Sequence, residues 1–183
     1  MALVLSGLAF CISMLCVLIG ACYWPGGPAD YKTKHGIRVY SKEQITLSRE
    51  LVEMSTEAVI TEARLADRRY TASKISGLRE CSIELVGDPF PCGYVPTGLC
   101  SGAFYLHDCR IKVAARDGCA PALPHELIHA LNFIAEDRFA DRIQPHSSSK
   151  WFRGPRSVLE RAHKTLGNDC YEAREHTKTG NDE

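Results

Sequence analysis

Two histidines stand four residues apart with a glutamate directly after the first: His125, Glu126 and His129, in "PHELIHALNF". On a helix such positions lie one turn apart, with Cβ atoms about 5–6 Å from each other. Two imidazoles placed this way reach a single zinc ion, whose bonds to nitrogen are about 2.0–2.1 Å. Glu126 is rotated by about 100° from His125, so it misses the ion and serves instead as a base toward a zinc-bound water. The spacing is HExxH, in which two ligands and a general base share one helical turn. The carrier helix is legible as well. Pro121 and Pro124 mark its start, where an amide without an intrahelical partner is tolerated. Leu123, Leu127, Ala130, Leu131 and Ile134 form an apolar face separate from the histidines.

A zinc site needs a third protein ligand, and several residues compete for the role. The extended pattern HExxHxxGxxH is not met, because Asn132 and Ala135 occupy its glycine and last histidine positions. Glu136 shares the histidine face, but seven residues of straight helix put it about 10 Å further along the axis than His129. Glu160, in "VLERAH", is a glutamate on a following helix. His146, in "QPHSSSKWF", follows a polar loop that lets the chain fold back, and neutral imidazole is the commonest metal ligand. The expected ligand set is His125, His129 and His146, with Glu160 and Glu136 as alternatives, zinc as the cofactor and Glu126 as the catalytic base.

The stretch "HELIHALNFIAEDRFADRIQPHSSSKWF" resembles the active region of the SprT-like zincins. In that group HExxH is followed, after a helix end and a polar loop, by a third histidine and then an aromatic residue. His125, Glu126 and His129 match the motif, His146 matches the third ligand, and Trp151 or Phe152 stands near the aromatic position. Ser147 occupies a position where the group carries glycine. The resemblance implies a small zincin-like domain and a zinc-dependent metallopeptidase acting on peptide or protein substrates.

Whatever positions these residues must fold outside the cytoplasm. The first 22 residues carry no charged side chain and read as a secretory leader, whose end at Cys22 resembles a bacterial lipobox. An uncleaved membrane anchor is the alternative, since about 20 apolar residues span a bilayer as a helix. Residues 23–35 read as a tether, 36–175 as the metallopeptidase domain and 176–183 as a polar tail. Six cysteines remain after the leader: Cys81, Cys92, Cys100, Cys109, Cys119 and Cys170. Their even number and wide spacing point to three disulfides rather than a cysteine metal site. Twenty-two basic side chains balance twenty-two acidic ones without a basic run, which argues against a nucleic-acid partner.

The fold class expected is α+β: a short mixed or antiparallel sheet packed on a long helix and the HExxH helix, stapled by disulfides. "GIRVYSKE" and "CSIELVGD" read as strands, and "AFYLHDCRIKVAA" as one bent strand or two short ones. Ser41 with Gln44 forms a capping-box signature for the long helix, whose apolar stripe includes Val52, Val59 and Ala63 with Leu51, Met54, Ala58 and Leu65. A closing helix runs from Pro155 to Leu166. The functional expectation is an exported, membrane-tethered, monomeric zinc metallopeptidase of the cell envelope. The alternative is a non-catalytic surface lipoprotein that uses a zincin-like scaffold for binding or adhesion.

Overall fold

Alternation along the strands and a helical period elsewhere sort most of the apolar residues onto the boundary between a sheet and a layer of helices. The computed structural model describes residues 29–42, 45, 47–92, 98–135 and 155–166. Its main sheet has five strands: β1 (Tyr31–Lys32), β2 (Arg38–Ser41), β3 (Ser82–Val86), β7 (Arg110–Ala114) and β6 (Gly102–Tyr105), side by side in that order. β2, β3 and β7 run parallel, while β1 and β6 close the two edges antiparallel to their neighbours. The mixed form of the expected sheet is the one found. Tyr31 and Lys32, assigned above to the tether, pair with Val39 and Arg38, so the folded domain begins before residue 36.

The long helix α1 (Arg49–Ala66) crosses from β2 to β3, as a parallel pair requires. Its N-cap is Ser48, whose Oγ accepts from the Leu51 amide at 3.1 Å. Ser41 is instead the last residue of β2, where its amide donates to Asp30 and its partner across the sheet is Leu85. Val52, Val59 and Ala63 are buried as the stripe predicts, whereas Met54 and Leu65 are exposed. A short helix α2 (Ala72–Ile75) and a 3₁₀ turn (Ser76–Glu80) return the chain to β3.

Between β3 and β6 lies a small hairpin, β4 (Phe90–Pro91) with β5 (Leu99–Cys100), closed by the Cys92–Cys100 disulfide. A second disulfide, Cys81–Cys109, joins the residues just before β3 and β7. Cys119 is also disulfide-bonded. Asp117 and Gly118 both have positive φ, 53° and 75°, in a tight turn closed by paired bonds between Arg116 and Cys119. Asp-Gly suits that geometry, and the turn redirects the chain from β7 into the motif helix.

That helix, α3 (Leu123–Ala135), packs against β6, β7 and α1, and the closing helix α4 (Pro155–Leu166) packs on α1 and α3. Ile83, Leu85, Ile111, Val113 and Phe104 face this helical layer and join Leu123, Leu127, Ala130, Leu131 and Ile134 in the main core. The other face of the sheet carries a smaller cluster under the hairpin, with Val86, Phe90, Cys100, Ala103 and Ala114. Among the described residues no helix is long and apolar enough to cross a membrane. The leader with Cys22 lies outside the described residues, as do Glu136, His146, Trp151, Phe152 and Cys170.

Candidate metal centre

The apolar face of α3 is anchored in the core, and that anchoring sets where its other residues point. His125 is half-buried and His129 buried, and their Nε2 atoms lie 3.1 Å apart with ring planes at 66°. Two nitrogens bound tetrahedrally to one zinc would be separated by about 3.3 Å, given bonds of about 2.05 Å. The pair therefore fits a shared zinc ion with almost no rearrangement. The same distance also suits a hydrogen bond, with one ring donating and the other accepting.

Glu126 occupies the next position round the helix and is 7% exposed. Its amide donates to Ala122 at 3.1 Å in the first turn. Its carboxylate lies beside the backbone of β6 at Gly102, so close that a methyl group there would come within 2.8 Å of Oε1. Burial pushes this carboxyl up to about 8. The charged form loses hydration, and no cation among the described residues compensates it.

The remaining sequence candidates divide clearly. Glu160 is exposed on α4 and accepts from Arg156 at 2.9 Å, one turn earlier. Among the described residues no third histidine, cysteine or carboxylate completes a metal-binding group with the pair. His146 and Glu136, the other two candidates, fall outside the described residues. Tyr105 belongs to the opposite face of the sheet, where the Arg110 guanidinium stacks on its ring at 4.4 Å.

Two supporting contacts carried no motif. The Tyr70 hydroxyl donates to the Asn132 side chain, tying the second half of α3 to the segment that follows α1. Gly102, the last residue of "PFPCGYVPTGLCSG", reads from its prolines and glycines as part of a loop, and the structure places it in β6 instead. A glycine inside a strand is a signal for close approach of another group, and that signal was present in "SGAFY". Compared with family models, with curated proteins and with solved structures, the chain matches none.

Proposed function

We propose that this protein is a zinc-dependent metallopeptidase of the HExxH type, exported and tethered to a membrane by its N-terminus. The observation that carries the reading is the convergence of the His125 and His129 Nε2 atoms to 3.1 Å, with the buried Glu126 carboxylate on the adjoining position. His125 and His129 would hold the ion, and His146 is the third ligand proposed from the sequence. Zinc, when bound, supplies Lewis acidity that acidifies water and polarises a carbonyl oxygen.

The chain's own residues supply the rest. Glu126 accepts the proton released as water attacks the peptide carbonyl and delivers it to the leaving amine. In the metal-free protein its carboxyl holds a proton at neutral pH. A dication nearby reverses that balance by favouring the carboxylate. Among the described residues β6 has a single neighbour in the sheet, β7, and its outer edge would offer backbone groups to an extended peptide. A substrate paired there would lie beside the first turns of α3.

The second reading is a non-catalytic binding protein on the same scaffold, and the burial of Glu126 with no cation beside it among the described residues is the observation in its favour. One experiment separates the two. The full-length chain, exported and purified in detergent without a histidine tag, is assayed for zinc by mass spectrometry and for cleavage of a panel of unfolded proteins. About one zinc per chain is expected, lost in His125→Ala and in His146→Ala. Cleavage should vanish in Glu126→Gln while zinc is retained. Zinc without cleavage supports the binding reading, and a folded wild type that takes up no zinc overturns both.

A further inference from the structure

Gly102 opens β6, opposite Val113 of β7, and its side of the strand faces α3. Glycine weakens a strand, because it costs backbone entropy and contributes nothing to packing. Its backbone does not require glycine: the positive-φ glycines of the described residues are Gly36, Gly98 and Gly118. What the position requires is the missing side chain. A methyl group on Gly102 would sit 2.6 Å from the Ala122 Cβ, 2.8 Å from Glu126 Oε1 and 3.0 Å from Glu126 Cγ. The strand backbone at Gly102 thus lies directly against both the Ala122 methyl and the Glu126 side chain.

We infer that Gly102 is a positioning residue for Glu126: by having no side chain, it lets the β6 backbone act as a wall that fixes the direction of the carboxylate. The inference rests on the peptidase reading and extends it to a residue outside the motif. A base is effective only while it is held near the proton it takes, and displacement by about 1 Å costs about 100-fold in rate. The wall also accounts for the burial of a carboxylate that has no ion pair among the described residues. Water is kept from its strand side, while the imidazoles occupy the neighbouring positions of the helix.

A purely architectural role would need only the Ala122 contact, the close packing of helix on strand. The two roles separate in a small set of variants of the full-length protein. Gly102→Ala should retain about one zinc per chain and lose about 100-fold in kcat, with KM changed by less than about 3-fold. Adding Ala122→Gly removes the helix methyl, so Gly102→Ala/Ala122→Gly should recover thermal stability and zinc but not kcat. That second variant also covers the case in which Gly102→Ala alone fails to fold.

In metal-free protein, Gly102→Ala should destabilise Glu126→Ala less than wild type, because the clash with Oε1 and Cγ is gone. Recovery of kcat together with stability in Gly102→Ala/Ala122→Gly would overturn the positioning role, as would additive effects of Gly102→Ala and Glu126→Ala on unfolding. An active wild type with an equally active Gly102→Ala chain would remove the inference alone. A wild type that neither holds zinc nor cleaves would remove the peptidase reading itself, and the positioning role with it.

Discussion

Glu84 and Glu126 are both withdrawn from water, at 1% and 7% exposure, on opposite sides of the same sheet. Glu84 sits in the middle of β3 on the face away from the helices, and three cations converge on it. Lys42 Nζ lies 2.7 Å from one carboxylate oxygen, Arg110 Nη1 2.9 Å from the other, and Lys112 Nζ 3.8 Å from the first. Burial alone would raise its pKa, but the bonds from Lys42 and Arg110 and the charge of Lys112 outweigh that, and the net shift is downward. Glu126 meets strand backbone and apolar side chains, and burial raises it to about 8. One buried acid is ion-paired with three cations, and the other meets none among the described residues. The first is what a fold does to tolerate a charge; the second is what the proposed catalytic role would call for.

The largest break in this contrast should come from Glu84→Gln. Removing the carboxylate strands three cations over a half-covered face, which costs about 3–5 kcal/mol for a broken buried pair. Urea denaturation of the metal-free protein at neutral pH reads it directly. Glu126→Gln should move the other way, with a gain of about 2–4 kcal/mol at pH 8, since a neutral amide replaces an acid forced to ionise in a dry position. Equal signs for the two variants would abolish the distinction.

The pH dependence sharpens it. Folded Glu126 binds its proton more tightly than the unfolded chain, between the ordinary value of 4.5 and about 8. Its contribution to stability therefore declines as pH rises through that window. Glu84, with its pKa lowered from 4.5, contributes stability that is complete above that value and is lost as the pH falls through the folded pKa. Urea midpoints of the metal-free protein should fall on both sides of a maximum near pH 5. The alkaline decline should flatten in Glu126→Gln, and the acid decline in Glu84→Gln.

Zinc at about 100 times its dissociation constant should stabilise the wild type by about 2.7 kcal/mol, an effect absent in His125→Ala and seen as a concentration-dependent Tm. The smallest effect expected is on the aromatic supports of the cation cluster. Tyr105 lies under Arg110, and Phe90 lies 4.5 Å from the Lys112 amine. Tyr105→Leu and Phe90→Leu should each cost about 0.5–1 kcal/mol and leave zinc content unchanged.

Much of this arrangement was legible before the fold was known, and the reasons are local. The HExxH spacing, the apolar face of α3, the strands at Ser82–Val86 and Arg110–Ala114 and the bounds of α4 all follow from periods that a single element imposes on itself. The start of α1 was not legible, because Ser41 and Ser48 both offer a capping hydroxyl. Pairing of β2 with β3 claims Ser41 for the sheet, and only then does the cap fall to Ser48. Met54 and Leu65 belong to the apolar pattern of α1 but lie beyond what its neighbours cover.

The candidate metal centre divides the same way. That His125 and His129 stand one turn apart is helix geometry, and the sequence by itself determined it. Which of two buried glutamates carries a charge is decided by what the other strands and helices bring against each, and so is the need for glycine at position 102. Residues distant in the chain control those outcomes through desolvation and contact at a few ångströms. Such distances come into being only when β6 and α3 pack together.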